Sequence, residues 1–79
     1  MQTYTIYASK VKNSEIFGNI NPRTIYLNRK AYYLVVIRGG ANVNLNRKSL
    51  VVRRAKEKLA ELVDFFDDTY YSFAGSFEA

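Results

Sequence analysis

The sequence lacks the side chains on which most acid–base, redox and metal chemistry depends. It contains no Cys and no His, which removes thiolate nucleophiles, Cys- or His-based zinc sites and an imidazole base. The densest carboxylates are Asp64, Asp67 and Asp68, but their spacing is not that of a calcium-binding loop. We therefore expect a protein that is not an enzyme, holds no metal and needs no cofactor.

The chemistry that the sequence offers instead is anion binding by clustered cations. Of the 79 residues, 12 are Lys or Arg and 7 are Asp or Glu, which gives a formal net charge of +5. All 12 cations lie in positions 1–58 beside two Glu, a net charge of +10. Positions 59–79 hold five carboxylates and no cation, a net charge of −5. The basic part is therefore the candidate surface for a negatively charged partner.

The elements that position these charges begin with strands. Alternation of apolar and polar residues predicts strands at 2–8 and 24–27. The segment 31–38 is apolar on both faces, which is typical of a central strand. A connecting segment separates the first two strands. We expect it to be attached to the core by Ile16, Phe17 and Ile20.

A hairpin is predicted after the central strand. Gly39-Gly40 accepts the positive φ angles of a two-residue turn without steric cost, and alternation at 41–46 predicts the returning strand. The resulting pairs are Arg38 with Ala41, Ile37 with Asn42, Val36 with Val43 and Leu34 with Leu45.

One amphipathic helix is predicted over 49–66. Apolar residues recur there at three- and four-residue spacing, the pattern of a helix that buries one stripe. Ser49 or Asn46 could cap its start. The buried stripe is expected to consist of Val52, Ala55, Leu59, Leu62, Val63 and Phe66.

Together these elements predict one α+β domain over 1–79. We expect a small antiparallel sheet of three to four strands with the helix packed on one face, in the order β-β-β-β-α. Strand-like composition at 69–73 leaves open a further C-terminal strand, and we expect 75–79 to be frayed.

The predicted helix carries its charges against its own dipole. Negative side chains stabilise a helix start and positive ones its end, yet the cations crowd its first half and the carboxylates its last turn. A bound phosphate would explain this arrangement; an ordinary solvated surface is the alternative. The basic pair 29–30 adds to the patch. The predicted nucleic-acid-binding residues are Arg29, Lys30, Tyr33, Arg47, Lys48, Arg53, Arg54 and Lys56.

Tyrosine is the second feature of the sequence that points to a partner. The chain has seven Tyr and five Phe. An exposed Tyr beside cations can stack on an unpaired base or anchor a protein interface. We expect Tyr4, Tyr26 and one of Tyr32 and Tyr33 to be buried instead.

Two kinds of function follow from these residues. The first is a non-enzymatic nucleic-acid-binding module for RNA or single-stranded DNA. The second is a small protein-interaction module or inhibitor, of a type found in phages and mobile elements, that occludes a host nucleoprotein complex, or an accessory subunit of a larger assembly. Homodimerisation would compensate for the small core of so short a chain. We expect no membrane segment and no signal peptide, and hence a cytoplasmic protein.

Overall fold

The structure, a computed structural model, describes residues 1–12, 17–18, 20–66 and 69–79. It has the predicted α+β fold, in which a five-stranded antiparallel sheet carries one helix on one face. The elements in chain order are β1 (Thr3–Ser9), β2 (Arg23–Leu27), β3 (Lys30–Arg38), β4 (Ala41–Asn42), α1 (Leu50–Phe66) and β5 (Ser72–Glu78).

Strand β3 lies at the centre of the sheet. The strand order is β2-β3-β1-β5, and the short β4 also pairs with β3. One edge of β3 pairs with β1. β2 and β4 share the other edge, where β2 pairs with residues 30–34 and β4 with residues 37–38. The central position of β3 is as predicted, but the helix covers only one of its faces. On the other face Val35 is buried, whereas Tyr33 and Ile37 are half-buried.

Both hairpins of β3 close with two-residue turns. Gly39 and Gly40 have φ angles of 57° and 80°, as predicted. Asn28 and Arg29 form the corresponding turn between β2 and β3, with φ angles of 51° and 66°. Positive φ at both central residues is the geometry that matches the twist of the flanking strands, and Arg29 adopts it at a steric cost that Gly avoids.

The strand after Gly39-Gly40 is shorter than predicted. The pairs Arg38–Ala41 and Ile37–Asn42 are present, and the Val43 N–H donates to the Val36 carbonyl at 2.9 Å. Beyond Val43 the chain leaves the sheet, and the predicted pairing of Leu34 with Leu45 is wrong. The reason is competition, since Arg23 of β2 already occupies the position opposite Leu34.

The C-terminal segment is a full strand, so the prediction that 75–79 is frayed is wrong. β5 pairs with β1 from Ser72 to Glu78 without interruption. Two backbone hydrogen bonds between Gln2 and Ala79, of 2.9 and 3.0 Å, continue the ladder. Aromatic contacts help to hold β5 against the rest of the sheet. Phe77 stacks on Tyr4 with 5.3 Å between ring centroids, and Phe73 is buried.

The helix begins and packs as its sequence predicts. The Ser49 hydroxyl oxygen accepts a hydrogen bond from the Val52 N–H at 3.2 Å, which satisfies one of the N–H groups left without an intrahelical partner. Of the predicted stripe, Phe66 is half-buried and the other five residues are buried. The core joins the helix to one sheet face through Ile6, Ala8, Tyr32, Leu34, Val36, Ala55, Leu59, Leu62 and Val63.

The segment between β1 and β2 buries one aromatic side chain outside the core cluster beneath α1. Phe17 is buried, at 3% exposure, and Ile20 is half-buried. The burial is as predicted, but neither residue belongs to the core cluster that joins the sheet to α1. Ile16, the third residue of that prediction, lies outside the described residues.

Candidate nucleic-acid interface

The start of α1 forms the floor of a basic cleft. Its volume is about 620 Å³. Cations reach it from three parts of the chain: the start of β2, the connection before α1 and the first turns of the helix. Its charged lining residues are Arg23, Arg47, Lys48, Arg53 and Lys56, and Leu45, Asn46, Ser49, Leu50 and Val52 complete it.

No carboxylate is among the described residues that line this cleft. The first turn of α1 also has no acidic residue. Within the described part of the chain, none of the five lining cations forms a salt bridge; the ion pairs on the helix involve Arg54 and Lys58 instead. All five are exposed, and no carboxylate of the described residues is paired with them.

Two local features hold the cleft in shape. The Arg23 guanidinium donates a hydrogen bond to the Asn46 side-chain oxygen, which links β2 to the connection before the helix. The Asn46 N–H in turn donates to the Asn44 side-chain oxygen at 2.9 Å, an arrangement typical of Asn in turns. This connection positions Arg47 and Lys48 immediately before the helix start.

A second, smaller cleft continues the basic surface past Arg47. Its volume is about 370 Å³, and Arg38, at the end of β3, lies in its wall together with Arg47 and Ser49. Over the described ranges of the chain, its lining contains no carboxylate either. Six cations therefore surround the start of α1 over the two adjoining clefts.

Four of the eight predicted site residues meet in the main cleft, namely Arg47, Lys48, Arg53 and Lys56. Arg54, the third predicted site residue on α1 itself, does not line the cleft. It donates to Glu57 at 3.1 Å and lies about 100° around the helix from Arg53. The structure thus separates two consecutive arginines that the sequence treats alike.

The predicted hairpin cations lie elsewhere. Arg29 is in the turn after β2, whereas Arg23 is at the start of that strand. The two ends of β2 are about 13 Å apart at the usual rise of a strand. Arg29 and Lys30 are exposed but do not line the cleft.

Tyr33 belongs to the sheet face that is turned away from the helix. It alternates with Tyr32 and Leu34, which are buried in the core beneath α1. Tyr33 is half-buried between Ser9 and Thr24 on the neighbouring strands. Tyr4 and Tyr32 are buried as predicted, but Tyr26 is 76% exposed. Tyr26 points to the same open face on an outer strand, which is why the prediction of its burial is wrong.

Two cations of the basic surface are not among the site residues predicted from the sequence. Arg23 and Arg38 stand alone in the chain, outside any basic cluster, and only the pairing of β2 and β4 with β3 brings them close to the helix start. The one local indication near Arg23 is Pro22, which favours an extended chain before β2. It indicates a strand and not a binding site.

The acidic end of the helix is described only in part. Asp64 is exposed on the last turns of α1, and Asp67 and Asp68 lie outside the described residues. Over the described ranges, no group of three or more Asp and Glu residues is close enough to hold a metal ion. None of the helical residues that the structure describes forms a segment with the length and apolar character needed to cross a lipid bilayer.

Comparison with known proteins finds no relative. No family model, no curated protein and no solved structure matches the chain. The geometry and charge of the clefts are therefore what supports a function.

Proposed function

We propose that this chain is a non-enzymatic nucleic-acid-binding protein that holds phosphate groups of RNA or single-stranded DNA in the clefts at the start of α1. The observation that carries the proposal is the main cleft itself, whose described lining has five cations and no carboxylate. Phosphate contacts of this kind supply the larger part of affinity in many nucleic-acid complexes.

The energetic cost of the cleft supports a bound anion. Each cation near a helix start costs about 0.3–1 kcal/mol, because it opposes the partial positive charge of the helix dipole. Several cations close together also repel one another. A polyanion that enters the cleft reverses both terms, since its phosphates attract the cations and accept hydrogen bonds from free helix N–H groups.

The shape of the basic surface favours a strand over an isolated phosphate. The two adjoining clefts extend from Arg23 past Arg47 to Arg38. Successive phosphates of one nucleic-acid strand could therefore each contact a different cation. The described lining of the main cleft contains no aromatic residue, so base stacking does not occur there. Stacking on Tyr33, as predicted, would require the strand to continue around β2 to the open face.

The test is a salt titration of binding. Fluorescence anisotropy with labelled single-stranded RNA and DNA would give the affinity at each salt concentration. Five or six phosphate contacts should give a slope of about −3.5 to −4 in a plot of log affinity against log salt. Affinity that does not change with salt, or no binding at low salt, would remove the proposal.

A matched pair of variants localises the binding. Arg53→Gln should weaken binding several-fold and reduce the magnitude of the salt slope by about 0.7, since one phosphate contact is lost. Arg54→Gln removes the same charge one residue away, outside the cleft, and should leave the slope unchanged. Equal losses in both variants would mean that the net charge alone attracts the ligand.

The alternative, a protein module that docks on an acidic partner, uses the same cations. It is distinguished by purification of the tagged protein with and without nuclease. A stoichiometric protein complex that survives nuclease, together with no direct binding of purified RNA or DNA, would replace the nucleic-acid proposal with this one.

A further inference from the structure

β5 is an open edge of the sheet. It forms the end of the strand order and pairs only with β1 among the described strands. In the hydrogen-bond pattern with β1, Gln2 and Ala79 exchange two backbone bonds, so the residues at two-residue steps from Ala79 also face β1. The remaining residues of β5 direct their backbone N–H and C=O groups outward. These are Ser72, Ala74, Ser76 and Glu78.

Among the residues that the structure describes, this edge lacks the protection that exposed edges usually carry. Natural edge strands are blocked by Lys, by Pro, by a bulge or by irregular pairing. β5 contains neither Lys nor Pro, and its register with β1 runs through seven consecutive pairs without a bulge. Its one charge is Glu78, at the end of the strand. The opposite edge differs, since β2 and β4 are short, are separated from each other and carry Arg23.

We infer that β5 pairs with β5 of a second copy of this chain, antiparallel about a two-fold axis at Gly75, to form one continuous sheet. In that register Ser72 lies opposite Glu78 of the partner, and Ala74 opposite Ser76. All four outward-facing residues then exchange hydrogen bonds, which gives four pairs of two bonds, about eight in total. Any shifted register leaves part of the seven-residue strand without a partner.

Side chains on the helix face fit the same register. Phe73 lies opposite Phe77 of the partner in a close, non-hydrogen-bonded pair, an aromatic contact repeated on both sides of the axis. Beside the first half of β5 is a shallow groove of about 280 Å³, lined by Phe66, Tyr70, Ser72, Phe73 and Ala74, and Phe77 of the partner would enter it. At the axis itself, Gly75 presents no side chain.

The helices supply charge complementarity, which selects a second copy as the partner. A Cβ at Gly75 would be 3.3 Å from Lys58 Cε and 3.1 Å from Leu62 Cδ1, so this flank of α1 lies above β5. Residues at three- and four-residue steps from Lys58 share the flank. They are Arg54, Glu61 and Phe65, the last of them 74% exposed.

A two-fold axis at Gly75 makes the two helices antiparallel on the same face of the sheet. Since α1 packs over both β5 and β1, their axes would be about two strand spacings apart, roughly 10 Å, which is the distance of packed helices. Lys58 of one copy then meets Glu61 of the other, and Arg54 meets the exposed ring of Phe65. The inference does not depend on the proposed nucleic-acid binding.

The test is to measure the mass in solution of the full chain and of two variants by sedimentation equilibrium. The wild-type protein should have twice the chain mass of 9.1 kDa. Ser76→Pro removes an outward N–H that the pairing with β1 does not use, and Pro is tolerated on an edge strand; this variant should be monomeric with an unchanged circular dichroism spectrum. Ser76→Ala keeps the N–H and should remain dimeric.

Three outcomes would overturn the inference: a monomeric wild-type protein at the highest concentration at which it stays soluble, a folded Ser76→Pro variant that remains dimeric, or a monomeric Ser76→Ala variant. If Ser76→Pro does not fold, Ser76→Lys replaces it in the test, because Lys blocks edge pairing without removing an N–H. This variant should be monomeric, and a dimeric one would overturn the inference. An isotope-filtered cross-peak between the rings of Phe73 and Phe77, in a sample mixed from labelled and unlabelled chains, would confirm the register.

Discussion

Arg53 and Arg54 are neighbours in the sequence but lie on opposite flanks of α1. Arg53 lines the cleft together with Lys56, and neither forms a salt bridge within the described residues. Arg54 and Lys58, on the flank above β5, are bonded to Glu57 and Glu61 at 3.1 and 3.3 Å. One flank of the helix therefore has unneutralised positive charge, whereas the other has paired charges of both signs.

The difference shows that the position of a charge around a helix matters more than its position along it. Along the chain, the basic half appears as one block that ends at Lys58. Around the helix, a rotation of about 100° per residue divides the block into two surfaces. Paired exposed charges contribute little to stability, about 0–1 kcal/mol, and they are suited to a protein partner of mixed charge. Unpaired cations are suited to a polyanion.

Both surfaces depend on the buried stripe of α1 that lies between them. A substitution in this stripe should therefore have the largest effect on stability. Leu59 is fully buried at the centre of the core. Leu59→Ala should lower the free energy of unfolding by about 2–5 kcal/mol through lost burial and a cavity. Urea denaturation would measure the loss. Leu50→Ala is the matched control, because Leu50 is 47% exposed, and a loss as large as that of Leu59→Ala would contradict the assignment of the core.

An intermediate effect is expected at the cleft end of the helix. The Ser49 hydroxyl caps the Val52 N–H at 3.2 Å, and Ser49→Ala should cost about 1 kcal/mol of stability. Ser49→Asn restores a side-chain acceptor and should recover most of that loss. Thermal unfolding of the three proteins side by side would show it. If Ala and Asn variants were equally stable, the hydroxyl would not be acting as a cap.

How much of this arrangement can be predicted depends on whether its cause is local. The bounds of α1, the central position of β3 and the turn at Gly39-Gly40 follow from periodicity and backbone preference, and the structure confirms them. The lengths of β4 and β5 do not follow, because both depend on which strand edge is available for pairing. β2 takes the position that Leu45 would need, and β1 offers a free edge that orders 72–78.

The candidate site divides in the same way. Arg47, Lys48, Arg53 and Lys56 are within ten residues of one another, and the predicted helix is sufficient to group them. Arg23 and Arg38 join them through strand pairing between distant parts of the chain. The exposure of Tyr26 requires knowledge of which sheet face the helix covers, and alternation alone does not provide it.

The smallest effect on stability also distinguishes the two flanks, because a gain is expected at only one of them. Arg53→Glu places a carboxylate near the positive end of the helix dipole and reduces repulsion among the cleft cations, so the fold should gain about 0.3–1 kcal/mol. Arg54→Glu exchanges the attraction to Glu57 for repulsion but gains an attraction to Lys58 four residues on, so the stability should change by less than about 0.5 kcal/mol.

Binding should respond in the opposite direction to stability. Arg53→Glu should weaken binding of single-stranded RNA by more than Arg53→Gln does, because it adds repulsion to the lost contact, while Arg54→Glu should change it little. Denaturation and anisotropy on the same two samples check both predictions. A gain in stability with a loss of binding at position 53 means that the cations are retained for a ligand and not for the fold. A loss of stability at position 53 would show instead that Arg53 supports the cleft, and the charge of the helix start would then need a structural explanation.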